Sequence, residues 1–152
     1  MTVYADSART IPVKTIRVSV GLPGTPTPTG NFTLSRSLRW QPLMGPSWGQ
    51  YGTHVDRAGQ GGIFVHSVAC GQANSYNLPA VEYNKLGSPA SHGCIRTCVA
   101  DAKWVYENCN GASISIIDGQ YKADDAKKGP LGKKALTTIR GAANIDNTDP
   151  AV

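Results

Sequence analysis

The sequence predicts a mostly β domain, sandwich-like or barrel-like, with one substantial helix. Three observations lead there. Seventeen glycines and ten prolines cut the 152 residues into short pieces, which suits short strands joined by turns. Several of those pieces alternate polar and apolar side chains, the period of a half-buried strand. One stretch, directly after Thr97, carries helical spacing instead. A hydrophobic content of 40% is enough for a core, and 152 residues fit one domain.

Residues 15–21 (TIRVSVG) alternate and read as a strand. Residues 22–30 are a proline- and threonine-rich turn, and Phe32 opens the next strand. Residues 39–52 hold two tryptophans, two prolines and three glycines, an irregular segment with short strands. Residues 62–69 read as another strand. Residues 69–90 contain Gly71, Asn74, Ser75, Asn77 and Pro79, a surface-loop composition. Pinned between His66 and Ser91, this long loop is expected to cover part of a cleft between them. Thr97 is the expected N-cap of a helix over residues 98–109. Val99, Ala102, Tyr106 and Cys109 share one of its faces, and Asn110-Gly111 ends it. Residues 112–118 form the last predicted strand. The domain is expected over residues 1–118, with a weakly patterned C-terminal extension over 119–152. In that extension residues 123–126 suit a short helical turn, and its end drapes over the domain or links onward.

The stretch Ser91-His92-Gly93-Cys94-Ile95-Arg96 concentrates the chemistry. It holds a thiol, an imidazole, a hydroxyl, a guanidinium and a flexible glycine. His66, on the predicted strand upstream, is a second imidazole. A cysteine with a separate histidine is the minimum equipment for thiol acyl transfer. The thiolate is the nucleophile, so its pKa must be lowered locally. The expected device is the N-terminus of the following helix, with His92 and Arg96 adding donors or positive charge. The backbone N–H groups of Gly93 and Cys94 are candidates for an oxyanion hole. The competing readings are a small buried hydrophobe and a metal site of His66, His92, Cys94 and Cys98. The second lacks a C-x-x-C pair and any regular zinc spacing, so no metal or other cofactor is expected.

Other features narrow the class. No run of 18 apolar residues is present, so no membrane contact is expected from this segment. The chain does not open on a basic region followed by an apolar one, the pattern of a signal peptide. The net charge of +5 suits an anionic polymer surface. Its basic residues are spread out, and the densest patch, Lys127, Lys128, Lys133 and Lys134, has no interleaved aromatics, which argues against nucleic acid. Of the four cysteines, Cys98 and Cys109 lie about 16 Å apart along one helix, beyond the ~7 Å a disulfide spans. Cys94 with Cys98 would silence the nucleophile, and Cys70 with Cys98 stays open. No disulfide is the expected state, with Cys109 in the core. Trp40, Trp48 and Tyr51 suit either a groove or the core. His54 reads as an exposed polar residue and Trp104 as structural.

These residues resemble the L,D-transpeptidase (YkuD-type) catalytic domain of bacterial cell walls. Ser91-His92-Gly93-Cys94 is similar to the family signature, and Phe64-Val65-His66-Ser67 to the strand carrying its upstream histidine. The stretch from Gly24 to Phe32, the residues Asn84 to Ala90, and Asp101 to Tyr106 resemble family segments in the right order. The resemblance implies an L,D-transpeptidase-like fold and roles for individual residues. Cys94 would be the nucleophile, His66 its general base, and the Ser67 carbonyl the group that orients the imidazole. His92 would support the thiol or substrate, and Arg96 would meet a substrate carboxylate. Ser91 and Tyr51 would border the substrate. Two departures stand out: the long 67–90 interval between His66 and Ser91, and Arg96 where many members carry asparagine. The implied reaction joins peptidoglycan stem peptides, donor and acceptor, by 3→3 cross-links through a cysteine thioester. Carbapenem-type β-lactams would be covalent inhibitors. With water as acceptor the same site is an L,D-carboxypeptidase; a non-catalytic wall-binding module is the third reading. The implied location is extracytoplasmic, with this chain a piece of a longer exported protein in which a further strand commonly precedes residue 15.

Overall fold

The computed structural model describes residues 1–57, 61–118 and 144–152. Its centre is a curled five-stranded sheet. In chain order the strands are β1 (Thr2–Tyr4), β2 (Pro12–Thr15), β3 (Gly30–Arg36), β4 (Trp40–Pro42), β5 (Trp48–Gln50), β6 (Thr53–Asp56), β7 (Phe64–Ser67), β8 (Ile95–Thr97) and β9 (Ser113–Ile116). The helices are α1 (Ala80–Tyr83) and α2 (Val99–Asn108). The central sheet runs β8-β7-β6-β3-β9, while β1-β2 and β4-β5 form separate two-stranded pairs. Among the described strand pairs only β7–β8 is parallel. The predicted class, mostly β with one substantial helix after Cys94, is the observed one.

Alternation along the strands builds the core. Leu34, Val55, Val65 and Ile95 project from one face of the sheet and close with Ile16, Val105 and Cys109. Burying the α2 stripe of Val99, Ala102, Val105 and Cys109 removes apolar area worth about 25 cal/mol per Å². The helix ends where expected: Gly111 has φ 81°, and its N–H donates to the Leu34 carbonyl at 2.7 Å. Among the described residues no helix is long and apolar enough to cross a membrane.

Three sequence expectations shift. Regular pairing at the first predicted strand stops at Thr15, because that strand lies upstream: β2 pairs with β1. Residues 16–21 instead run beside the signature through single bridges, Ser19 to Arg96 and Gly21 to Ser91. The reason is the brevity of β8, a three-residue strand whose free edge offers little to pair with. The 69–90 segment, read as a surface loop, has a core of its own. Leu78, Tyr83 and Leu86 pack on Val68, Cys70 and Cys98.

The third shift concerns the helix cap. Thr97 is the last residue of β8, and its hydroxyl donates to the Arg17 carbonyl at 2.8 Å. Cys98 is the N-cap and makes no side-chain capping bond. The open N–H groups of α2 are met from far away. Val99 N–H donates to Asp146 Oδ2 at 2.8 Å and Ala100 N–H to Thr148 Oγ1 at 3.1 Å. Residues 144–152 therefore lie against the domain. The expected short turn at 123–126 and the basic patch at Lys127, Lys128, Lys133 and Lys134 fall outside the described residues.

Asp146 thus acts as a distant cap for the helix that closes the core. Asp146→Ala should destabilise the domain by about 1–2 kcal/mol, the range for losing a cap, read as a lower Tm with native circular dichroism below it. An unchanged Tm would show that α2 is capped by other means.

Candidate active site

The parallel register of β7 and β8 sets Val65 against Ile95 and His66 against Arg96. Side chains alternate along a strand, so Val65 and Ile95 enter the core. Phe64, His66, Cys94 and Arg96 share the other face and line a cleft of about 330 Å³. Pro42, at the end of β4, and Leu43, Met44 and Ser47, from the turn before β5, also line it.

His66 is 1% exposed. Its Nδ1 lies 2.5 Å from the Ser67 carbonyl oxygen. A carbonyl only accepts, so Nδ1 carries the proton and Nε2 keeps its lone pair. Burial lowers the imidazole pKa to about 4; the Ser67 carbonyl opposes this and the Arg96 charge adds to it. The ring is therefore neutral at pH 7, the form that accepts a proton.

Cys94 is half-buried, and its thiol donates to the Gly62 carbonyl at 3.5 Å. Burial raises its pKa, while the Phe64 backbone N–H and the Arg96 guanidinium pull it down. The expected helix N-terminus is not beside it, because β8 intervenes between Cys94 and α2. The resting pair is thus a thiol and a neutral imidazole. The remaining thiols, at Cys70, Cys98 and Cys109, are free and buried, and burial pushes Cys70 and Cys98 up to about 11.

The signature loop is tied internally. Ser91 Oγ donates to the Cys94 carbonyl at 2.6 Å and accepts the Gly93 N–H at 3.1 Å. Of the two expected oxyanion donors, Gly93 is therefore committed to Ser91. Ser91 borders the cleft, yet its hydroxyl works inside the loop. Gly93 has φ 124°, and a Cβ there would stand 3.0 Å from Ile63 Cδ1, so only glycine fits without strain. The threonines of the preceding turn clamp the loop. Thr27 Oγ1 donates to the Gly93 carbonyl at 2.8 Å, and Thr25 Oγ1 to the Ser91 carbonyl at 3.2 Å.

His92 is exposed and borders the cleft. Arg96 also lines it, with Nη1 donating to Glu82 Oε2 at 3.1 Å. Hydrogen bonding to Lys85, with a lesser part from Arg96, holds the Glu82 carboxyl below its ordinary range. The expected cover over the cleft is corrected accordingly. Of residues 69–90 only Ala69 lines the cleft, because the segment's apolar side chains are drawn to Val68 and Cys98. Its link to the site is Glu82, which tethers Arg96.

Tyr51 is also corrected. It is not among the lining residues. It sits at φ 53°, buried against Val99 and Ala102, edge-on to Tyr106 and 4.0 Å from the Arg39 guanidinium. His54 pairs with Asp56, and Trp40 and Trp48 do not line the cleft. Among the described residues no cluster of three histidine, cysteine or acidic groups could hold a metal.

The sequence reading missed Gly49. A Cβ on it would stand 2.6 Å from His66 Nδ1 and 2.8 Å from Cγ, so the β5 backbone lies flush against the imidazole. The available signal was a glycine inside a strand, which often marks a close approach.

The L,D-transpeptidase catalytic domain (YkuD) family model matches residues 1–138. Over 48 residues the chain is 48% identical to a putative L,D-transpeptidase, YciB, of Bacillus subtilis strain 168; the match covers 32% of this chain and 24% of that protein. Solved structures share the fold, two L,D-transpeptidases among them. One is LD transpeptidase LdtMt1 in complex with imipenem, at 23% identity and TM-score 0.53, covering 70% of this chain and 50% of that one. The other is an L,D-transpeptidase from Mycobacterium smegmatis, at 24% identity and TM-score 0.52, covering 77% and 53%. The chain therefore spans about half the length of these solved relatives.

Two outcomes are expected from this geometry. Gly49→Ala should push the imidazole out of place and lower turnover about 10²-fold in a folded protein; full activity would show that the contact relaxes freely. The second outcome concerns acid. The folded His66 pKa of about 4 lies below the ordinary 6.5, so the unfolded chain takes up the proton first as pH falls. The stability that His66 lends as a neutral group is full above pH 6.5. It should drop by about 3 kcal/mol as pH falls through 4. Comparing denaturant unfolding of wild type and His66→Gln across this range isolates the effect, and parallel curves would refute it.

Proposed function

Because the chain belongs to the L,D-transpeptidase (YkuD) catalytic-domain family, we propose that it forms 3→3 cross-links between peptidoglycan stem peptides through a thioester on Cys94. The observation that carries this reading is the His66 tautomer. Nδ1–H is locked onto the Ser67 carbonyl, and the lone pair on Nε2 is left for the cleft that Cys94 shares.

In this mechanism Cys94 Sγ attacks the carbonyl between the L-centre of the donor's diamino acid and its terminal D-alanine. The thiol proton passes to His66 Nε2. The C–N bond then breaks, and D-alanine leaves with that proton on its nitrogen. Burial favours this second transfer, since an imidazolium whose pKa is held near 4 gives up its proton readily. The thioester remains. An amine of a neighbouring stem attacks it, passes a proton to Nε2, and the departing Cys94 sulfur takes that proton back.

Arg96 meets a substrate carboxylate with the donors that Glu82 leaves unused. His92, at the cleft's edge, supports the bound stem. The site works on the cell wall, outside the cytoplasm. The imipenem complex of LdtMt1 supports β-lactam acylation of Cys94 as well.

Intact-mass measurement with a tetrapeptide donor tests the reading. Wild type should gain the mass of the donor acyl group as D-alanine is released from the donor, and Cys94→Ala should gain nothing. His66→Ala should slow acylation by about 10² to 10⁴. Adding an acceptor amine should yield a cross-linked product; release as free acid alone would make the enzyme an L,D-carboxypeptidase. No adduct with wild type would overturn the thioester route.

A further inference from the structure

The proposed chemistry leaves unused a buried polar link between the C-terminal residues and β5. Gln50 is 2% and Asp149 5% exposed. Gln50 Nε2 donates to Asp149 Oδ2 at 2.8 Å. The Gln50 backbone N–H donates to Ser67 Oγ, also at 2.8 Å. Gln50 is thus held at its side chain by residue 149 and at its backbone by the neighbour of His66.

Asp149 is itself fixed. Its N–H donates to the Asp146 carbonyl at 2.9 Å, and its Oδ1 accepts the Ala151 N–H at 2.9 Å. One residue before Gln50, the Gly49 backbone forms the surface on which the imidazole rests. β5 has little else to hold it in register. It is three residues long, pairs with a three-residue β4 and makes one further bridge, Trp48 to Cys70. A charge-assisted hydrogen bond in a buried setting is strong enough to matter against so few ladder bonds.

From this we propose that Asp149 is a positioning residue for His66, acting through Gln50 and Gly49 to keep the imidazole seated with Nδ1 on the Ser67 carbonyl. The inference rests on the reading of His66 as general base. Asp149 does not line the cleft; its effect passes through the backbone of β5.

The test uses the full chain, imipenem as acylating probe, and two readouts: the rate of Cys94 acylation and the imidazole ¹⁵N resonances of His66. Wild type should show protonated Nδ1 and unprotonated Nε2. Asp149→Ala should blur or shift that pattern and slow acylation about ten- to a hundredfold. Gln50→Leu should do the same, and the double variant should lose no more than either single one, because both act on one link. Thr148→Val removes the hydroxyl's bonds to the Ala100 N–H and to Asp146 Oδ1 but not the Gln50 link, so it should lower Tm and leave both readouts unchanged. Wild-type resonances and rate in a folded Asp149→Ala, or additive losses in the double variant, would overturn the proposal. If Asp149→Ala fails to fold, Gln50→Leu decides by the same two readouts. The two ideas fail separately. Fast acylation in His66→Ala, with His66 resonances still displaced by Asp149→Ala, keeps the positioning and overturns the base. The reverse pattern overturns the positioning alone.

Discussion

Everything at the site depends on the parallel pairing of β7 with β8. That register brings Phe64 and His66 beside Cys94 and Arg96 and turns all four toward the cleft. The same register sends Val65 and Ile95 into the core. A slip of one residue would exchange the two sets, placing the imidazole in the core and valine in the cleft. Burial of Val65 and Ile95 therefore works against a one-residue slip, which would expose them and turn Arg96 toward the core. Parallel neighbours need a long connection, and this explains the 67–90 interval better than a lid does. It carries the chain back to the start of β8, and it stabilises itself by packing Leu78, Tyr83 and Leu86 against Val68, Cys70 and Cys98.

The electrostatics follow from that burial. His66 and Cys94 are each largely shielded from water, and burial acts in opposite senses on the two reacting groups. It lowers the pKa of His66 and raises that of Cys94. Both effects oppose a resting thiolate–imidazolium pair. The helix terminus that would have favoured the thiolate lies beyond β8 and is engaged with Asp146 and Thr148. The nucleophile is thus generated when the thiol proton moves to Nε2 with a carbonyl in place, rather than stored beforehand. Arg96 is tethered by Glu82 at the edge of this arrangement, where its charge disfavours protonated His66 and favours ionised Cys94.

How much of this could be read from the sequence depended on the distance over which each interaction acts. The signature, the base strand and the Gly111 stop are local patterns and legible; the buried face of α2 was legible at Val99, Ala102 and Cys109, while Val105 rather than Tyr106 completes it. The cap lies one residue beyond the expected Thr97, because Ile95–Thr97 form β8, a strand of three residues whose period is too short to register in the sequence. Tyr51 was ambiguous because an aromatic side chain suits a groove or a core equally, and contact with Tyr106 on α2 decided it. Gly49 against His66, Asp146 at the head of α2, and Asp149 on Gln50 join segments far apart in the chain. Composition could flag the glycine as a close-approach site, but no pattern in it names the ring it approaches.

Those long-range contacts share a physical cause. Strands of three or four residues supply few ladder bonds, so their positions are only as well defined as their surroundings. β5, β7 and β8 are all of this kind. β5 and β8 are fixed from outside their sheets. Thr25 and Thr27 hold the loop leading into β8, Ser67 and Asp149 hold Gln50 of β5, and Glu82 holds Arg96. A reacting geometry must be kept to within a fraction of an ångström to be effective. A short-stranded sheet meets that demand by recruiting polar side chains from loops and from residues 144–152. These supporting residues lie outside the motif that identifies the chemistry, yet the motif's geometry depends on them.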